Sequence, residues 1–367
     1  MNIGIIAHVL SEKSGARAPI ELAKSIQKRG HNVTFYAISR GKSPDAQNDL
    51  KRNKINLGLI TNNGLSEMFQ LYMMLRKSDH DLLITQTPLP LYLAARLTGI
   101  PIIHYYHGTQ FNIFYERAFP NYNSFWKFLD IIFNSIIWLK TSIPIHSSNK
   151  TIALSKYCSQ EAKKLYFKKV PTIYLGAISD HLRTGSIKNK KNTIINLLTV
   201  SRLTPYKGFH KLIEVVNKLN KSGINAKLII AGSNPSKNYL EYLKKQKGNF
   251  EILVNPNDAQ LKKLYKNSQI YISADKYLFF GMPVLEAASY QIPTVSLNFS
   301  ACSEVIKNNQ TGFIVNSIDE MTQKVTLLSE NKTLREKMGK EANKFSRYFN
   351  WEKTALNFQK IMNSNFK

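Results

Sequence analysis

The run Ile3-Gly-Ile-Ile-Ala7, followed by Ala18-Pro-Ile-Glu-Leu-Ala-Lys-Ser-Ile-Gln-Lys28 and then by Gly30-His-Asn-Val-Thr-Phe-Tyr-Ala37, decides the architecture. Ile3 to Ala7 is a short unbroken apolar run, the pattern of a strand buried on both faces. Ala18 to Lys28 has helical spacing, Gly30 stops the helix, and Asn32 to Ala37 returns as a strand. Strand, crossover helix and strand make one βαβ unit, the building block of parallel sheets flanked by helices.

The plan repeats outward from that unit. Leu82 to Thr85, Leu91 to Leu97 and Pro101 to Tyr106 read as strand, short helix and strand, broken at Gly99. Thr151 to Leu154 is a further strand, Ser159 to Tyr166 a helix, and Thr172 to Leu175 a last short strand. Gly185 to Asn192 turns to Gly, Ser, Lys and Asn and reads as a linker. Beyond it Ile194 to Val200, Ala226 to Ala231, Glu251 to Leu253, Ile270 to Ser273 and Thr294 to Leu297 read as strands with helices between them. Asn350 to Met362 spaces Trp351, Ala355, Phe358 and Met362 along one helical face that needs a domain to pack on. The expected division is 1–184, 193–349 and a closing helix in 350–367.

Composition agrees with two cores. A chain of 367 residues with 43% hydrophobic and 11% aromatic content is globular and too long for one ordinary core. The 51 Lys+Arg against 24 Asp+Glu give a formal charge of +27, which favours phosphorylated small molecules, an anionic membrane surface or nucleic acid. The excess is spread over Lys188–Lys191, Lys237–Lys247 and Lys262–Lys266, as an ordinary lysine-rich surface would also be, and a membrane surface ranks ahead of nucleic acid. Cys158 and Cys302 lie far apart without metal-ligand spacing, against a disulfide framework or a zinc site. The apolar N-terminus has no basic stretch before it and reads as a strand, not a secretion signal. The longest apolar stretch, Phe128 to Leu139, is interrupted by Asp130, Asn134 and Ser135 and is too short to span a bilayer. The expectation is a cytoplasmic protein, peripheral on the inner face of the membrane.

Ligands of open parallel sheets bind beyond the carboxyl ends of strands, which singles out four loops. Ser14-Gly15-Ala16 precedes a helix and would let a substrate approach backbone amides, but it lacks the Gly-x-Gly-x-x-Gly pattern of a nicotinamide or flavin site. His104-Tyr-Tyr-His107-Gly108 ends a strand, where a histidine can hydrogen-bond a sugar hydroxyl or move a proton, or else serve as a satisfied structural group. Arg202 and Lys207, five positions apart between a strand and a helix, could converge on a diphosphate, as a metal would otherwise do; no carboxylate cluster offers a metal. Two exposed charges are the bland alternative in so basic a chain. In Phe279-Phe-Gly281-Met282-Pro283-Val284-Leu-Glu286, Gly281 allows close backbone approach and a helix starting near Pro283 aims its amides at an anion. Glu286, one turn inside that helix, could accept hydrogen bonds from ribose hydroxyls.

Arg202 to Gly208 together with Gly281 to Ala287 resembles the retaining GT-B glycosyltransferases of the glycosyl-transferase-group-one type. The likeness runs over nearly the whole chain, through Glu21-Leu-Ala-Lys, Arg29-Gly-His31-Asn-Val, Ile152-Ala-Leu-Ser155 and Asn350-Trp351-Glu352. It implies an α/β fold of two Rossmann-like domains facing each other across a cleft, with the closing helix returning to the N-terminal domain. It implies that Arg202 and Lys207 bind the donor diphosphate, Glu286 the ribose, Gly15 and the Gly281–Val284 turn the donor, and that His107 faces the transferred sugar. It further implies retention by front-face transfer, the leaving phosphate helping to deprotonate the acceptor, with no cofactor beyond a nucleoside diphosphate sugar and no metal. The partners implied are a nucleotide sugar and a glycan or lipid-linked acceptor. The family's usual first glutamate falls at Leu278 and its glycine at Phe279, and Asp275 is the carboxylate that could compensate.

Phe125 to Leu139 reads as a helix with a narrow polar stripe of Lys127, Asp130 and Asn134 and with Trp126 and Trp138 near its ends. Core burial is the commoner fate of such a helix; docking onto an anionic membrane to reach a lipid-linked acceptor is the alternative. Rival functions are a sugar-nucleotide epimerase or phosphorylase, a noncatalytic sugar-nucleotide-binding subunit, and a nucleic-acid-binding protein, the last explaining the charge but not the loops.

Overall fold

The structure, a computed structural model, describes residues 1–10, 17–38, 44–61, 65–177, 194–233 and 235–366. The Gly15 loop and the Gly185 to Asn192 segment lie outside the described residues. The chain forms two compact units, Met1–Thr109 with Ile136–Gly176 and Asn350–Lys367, and Gln110–Ser135 with Ala177–Phe349.

In chain order the elements are β1 (Asn2–Val9), α1 (Ala18–Gln27), β2 (Asn32–Ile38), α2 (Pro44–Arg52), β3 (Asn56–Ile60), α3 (Leu65–Arg76), β4 (Leu82–Gln86), α4 (Leu89–Arg96), β5 (Ile102–Tyr106), α5 (Ile113–Ala118), α6 (Ser124–Ser147), β6 (Lys150–Ala153) and α7 (Lys156–Tyr166). They continue as β7 (Ile195–Val200), α8 (Phe209–Lys221), β8 (Ala226–Gly232), α9 (Lys237–Lys244), β9 (Phe250–Val254), α10 (Asp258–Asn267), β10 (Ile270–Ser273), α11 (Met282–Ser289), β11 (Thr294–Leu297), α12 (Cys302–Val305), β12 (Gly312–Val315), α13 (Ile318–Glu330), α14 (Lys332–Ser346) and α15 (Trp351–Asn365).

The first sheet runs β3-β2-β1-β4-β5-β6 and the second β12-β11-β10-β7-β8-β9, and every strand pair is parallel. Read from its β9 edge, the second sheet repeats the order of the first, and in both the order reverses next to the opening strand, beside β4 in one and β10 in the other. Such sheets read as continuous apolar runs because both faces are covered: Ile3, Ile5 and Ile6 of β1 are fully buried, as are Ile270 and Ile272 of β10. Side chains set several helix starts. Ser155 Oγ accepts from Cys158 N at 3.1 Å ahead of α7, and Asn257 and Gln260 form a reciprocal capping box on α10.

Sequence periodicity leaves two edge strands, β3 and β12, unassigned, and the expected strand at Thr172–Leu175 is reduced to one bridge between Ala153 and Thr172. Residues 110–135, expected with the first domain, cluster with the second unit because Phe119 sets its ring edge-on against Tyr239 (5.1 Å) and Tyr242 (4.9 Å). In the first unit α15 buries Trp351, Ala355, Phe358 and Met362. Phe358 meets Tyr105 edge-on at 5.2 Å, Thr354 Oγ1 donates to Tyr174 O at 2.8 Å, and Arg29 Nε donates to Gln359 Oε1 at 2.6 Å. Gly176 lies so close that a Cβ there would stand 2.4 Å from the Trp351 ring.

The reading of Phe125 to Leu139 is corrected in extent and in environment. α6 is a 24-residue helix, long and apolar enough to cross a membrane by length and composition. Its apolar face is not in the core: Phe125, Phe128 and Ile131 are 60%, 59% and 68% exposed. Core and solvent-facing stripes share one period, so spacing alone does not separate them.

Candidate active site

A doubly wound sheet leaves a crevice outside the carboxyl ends of the strands where the order reverses. In the second unit those ends are Val200 of β7 and Ser273 of β10. Tyr271 on β10 ties the two strands together, its hydroxyl accepting from Val200 N and donating to Val200 O, both at 3.1 Å.

The loop after β7 carries Arg202, then a 3-10 turn at Pro205–Lys207, then Gly208 at φ 70° leading into α8. A Cβ on Gly208 would lie 2.8 Å from both the Cβ and the carbonyl oxygen of Ala274, so only glycine lets this loop press onto the one after β10. That approach is fixed by Lys276 N donating to Tyr206 O at 3.0 Å. It brings Lys207 Nζ to 2.5 Å from Asp275 Oδ2, with the two side chains only 10% and 14% exposed, while Asp275 Oδ1 accepts from Tyr277 N at 3.0 Å. The Arg202 guanidinium stands 5.7 Å and the Lys207 ammonium 5.2 Å from the centre of the buried Tyr206 ring. Both cations therefore share one aromatic platform; Arg202 is exposed.

The loop that Lys207 grips ends in the turn that opens α11. Gly281 adopts φ 96°, and the Val284 and Leu285 amides bond to its carbonyl at 3.0 and 3.2 Å. Met282 and Pro283 form the half-buried first turn, whereas Val284 is 2% exposed and belongs to the core. Glu286, half-buried one turn further on, accepts from Tyr265 Oη at 2.8 Å. Burial and the adjacent Glu286 charge push the Tyr265 hydroxyl well above its ordinary pKa, so it stays protonated and donates. Tyr265 stacks on Tyr290 at 5.3 Å, which fixes the ring that orients the carboxylate. Tyr265 lies 21 positions before Glu286 in sequence, and no local pattern connects them.

Leu278 is 4% exposed and packs beneath the Gly281 turn, its carbonyl accepting from Ala301 N at 3.0 Å. Where the resemblance implies a carboxylate there is a core side chain; the carboxylate beside the cation is Asp275.

In the first unit His107 follows the end of β5, its half-buried ring set edge-on against Tyr105 at 5.1 Å. Burial pushes its pKa down to about 4, so it is a neutral imidazole near pH 7, able to donate or accept a hydrogen bond without carrying charge. Its Nε2 has no hydrogen-bond partner among the described residues, and the same holds for the amide of Gln86 and the hydroxyl of Thr87 at the end of β4. In the sequence the signal for Gln86 and Thr87 is a Gln-Thr-Pro turn after a strand. The backbone beyond His107 is held by half-buried Glu161, whose Oε1 accepts from Thr109 N at 2.7 Å and from the Tyr106 hydroxyl. The structure thus gathers Arg202, Lys207, Gly281, Met282, Pro283 and Glu286 in the second unit and His107 in the first. Among the described residues no group of three His, Cys, Asp or Glu side chains is placed to hold a metal ion.

Comparison with known proteins agrees with this geometry. Residues 182–345 match the family model "Glycosyl transferases group 1" and residues 16–179 the model "Glycosyltransferase Family 4". An uncharacterized glycosyltransferase of Haemophilus influenzae is 25% identical over 99% of this chain and 98% of its own. The Escherichia coli UDP-Gal:alpha-D-GlcNAc-diphosphoundecaprenol alpha-1,3-galactosyltransferase is 24% identical over 76% of this chain and 73% of its own. Among solved structures, Anabaena Alr3699/HepE in complex with UDP and glucose superposes with a TM-score of 0.76 at 15% identity, covering 99% of this chain and 100% of that one. Paired parallel six-stranded sheets of one winding order, a cation-bearing loop at the strand reversal and two family models that between them run from residue 16 to residue 345 converge on one assignment: the chain belongs to the group 1 glycosyltransferases and has the GT-B fold.

Proposed function

We propose that the protein moves a hexose-type sugar from a nucleoside diphosphate to a hydroxyl of a glycan or lipid-linked acceptor, without a metal ion and with retention at the anomeric carbon, in the building of cell-surface glycans. The observation that carries this reading is the convergence of Arg202 and Lys207 on the Tyr206 ring at the strand reversal, in a loop bonded to the one that ends at the α11 N-terminus. Two cations and a helix N-terminus are the groups a diphosphate needs. The printed names of the relatives support it, one for a diphosphoundecaprenol-linked acceptor and one for a complex with UDP and glucose.

In this mechanism the diphosphate displaces Asp275 as the partner of Lys207, and Arg202 swings from the Tyr206 face to form the second, paired contact. Glu286, held by Tyr265, accepts from the ribose hydroxyls. The bond between the anomeric carbon and the diphosphate oxygen breaks, the acceptor oxygen bonds to that carbon on the same face, and the acceptor proton passes to the released diphosphate. Arg202 and Lys207 stabilise the charge that grows on the leaving group. His107, neutral, hydrogen-bonds a hydroxyl of the transferred sugar. The work is placed at the inner face of the membrane and involves no nucleic acid.

A second reading, a subunit that binds a sugar nucleotide without turning it over, is favoured by one observation, the buried Leu278. A thermal-shift screen of nucleoside diphosphate sugars in the presence of EDTA identifies the donor, because a ligand specific for the folded state raises the melting point. Slow donor hydrolysis without acceptor then separates enzyme from binding subunit, and the anomeric proton of the product reports retention. Absence of any nucleotide-sugar response at millimolar concentration defeats both readings.

A further inference from the structure

Along α6 the exposed residues Phe125, Phe128, Ile132, Ile136 and Leu139 recur every three or four positions and form one continuous apolar stripe, flanked by Ile131 and Trp138. The opposite face is fastened to the protein. Asp130, 2% exposed, accepts from Phe114 N at 2.9 Å and from Tyr122 Oη at 2.7 Å. Asn134 exchanges hydrogen bonds with the backbone and side chain of Asn112 at 2.8 and 2.9 Å. Trp138 Nε1 donates to Leu165 O at 2.8 Å, and its ring stacks on Tyr166 at the end of α7. Next along the chain Phe167 sits at φ 53° with 88% of its surface exposed, a conformation and an exposure that packing alone does not favour in a phenylalanine.

The exposed charge of this segment has one sign. From Ser124 to Val170 the sequence holds eight lysines and two carboxylates. Both carboxylates, Asp130 and Glu161, are hydrogen-bonded within the fold, whereas Lys127, Lys140, Lys163, Lys164 and Lys169 are exposed.

We propose that α6 and the turn after α7 form an interfacial docking face for an anionic lipid bilayer. α6 lies parallel to the membrane with the Phe125–Leu139 stripe and Phe167 among the acyl chains and the lysines at the headgroups. The apolar stripe accounts for insertion, and the exposed lysines of the same segment, with no exposed carboxylate among them, select anionic lipid; a water-soluble protein partner would not need that uniform sign. The helix does not cross the bilayer, because crossing would strip Asp130 of both its partners and leave a carboxylate in hydrocarbon. At about 1.5 Å per residue its length of about 36 Å is a footprint along the surface. The proposal rests on the glycosyltransferase reading only in giving docking a purpose, access to a lipid-linked acceptor.

The test is co-sedimentation of the full chain with vesicles of phosphatidylglycerol and phosphatidylcholine and with vesicles of phosphatidylcholine alone, alongside the variants K163Q/K164Q and F128S/I132S/F167S. Binding to the anionic vesicles that weakens with salt is expected. K163Q/K164Q should lower the partition constant roughly 30-fold, at about fivefold per basic residue. The apolar triple variant should lower it at least as far while keeping the wild-type melting point. Donor binding, measured in parallel by calorimetry, should be unchanged in both variants, so that a failed docking face is told apart from a failed enzyme reading. Equal binding by wild type and triple variant overturns the proposal, as does a wild type that ignores anionic vesicles. A concentration-dependent dimer dissolved by F128S/I132S/F167S, showing that the stripe covers a second copy, also overturns it.

Discussion

Replacing Lys207 by alanine separates what its ion pair does for the fold from what the cation does for the ligand. Removing one partner of a buried pair costs about 3–5 kcal/mol because the other charge is left uncompensated. Asp275 is 14% exposed and retains the Tyr277 amide, which brings the expected loss down to about 2–3 kcal/mol. For a unit of this size that is a fall in melting temperature of roughly 4–12 °C. The Lys207→Ala/Asp275→Ala double variant removes the stranded carboxylate, and most of the melting temperature should return. Donor affinity should not return with it, since one charge-assisted hydrogen bond is worth about 1.5–3 kcal/mol, a rise in Kd of roughly 10- to 150-fold in both variants. Differential scanning calorimetry gives the first quantity and isothermal titration with the identified nucleotide sugar the second. A double variant that binds donor as tightly as wild type refutes the role given to Lys207, and a single variant as stable as wild type refutes the weight given to the ion pair.

Gly281→Ala places a methyl 2.8 Å from a Leu278 methyl and 3.0 Å from one of Val305 at φ 96°, and should lower stability by about 1–3 kcal/mol in urea unfolding; adding Leu278→Ala relieves the clash but not the backbone strain. Tyr265→Phe leaves Glu286 without the hydroxyl that orients it, so the nucleoside diphosphate Kd should rise about tenfold by titration, with kcat less affected than KM. His107 and His104 are held by burial at about 4 and about 3, below their unfolded value, so they fold neutral. Above about pH 6.5 this contribution is fully present, and it is lost as pH falls toward 4 because the unfolded chain takes up protons that the folded chain does not. His107→Asn should therefore flatten the pH dependence of unfolding free energy between about pH 4.5 and 6.5 by close to one proton, about 1.4 kcal/mol per pH unit, read from urea titrations. An unchanged slope removes His107 from that account.

The strand and helix alternation was legible because β1, β2, β7 and β8 are predominantly apolar runs, interrupted by single polar residues such as Thr34, Asn196 and Lys227. β3 and β12 were not: Gly58 interrupts Asn56–Ile60 and Gly312 opens Gly312–Val315, so each offers only three apolar side chains. Arg202, Lys207 and Gly281 could be found from position, each lying in a loop between a strand and a helix. Their partners could not: Asp275 reaches Lys207 across 68 positions, and Tyr265 reaches Glu286 across 21, through the adjacency of β7 and β10 and of α10 and α11. Periodicity identified α6 as amphipathic without saying which medium its apolar stripe meets, since that depends on whether another element covers it.

The return of α15 to the first unit bears on how the molecule is made. The ring of Phe358 on Tyr105 and the Trp351 indole over Gly176 complete a packing arrangement begun by residues that leave the ribosome hundreds of positions earlier. The second unit draws on nothing beyond Phe349. Synthesis therefore supplies all of that unit first, while the opening sheet waits for the closing fifteen-residue helix. A stop codon near residue 349 would yield a chain whose opening sheet is exposed to chaperones and proteases although the truncation lies far from it in sequence.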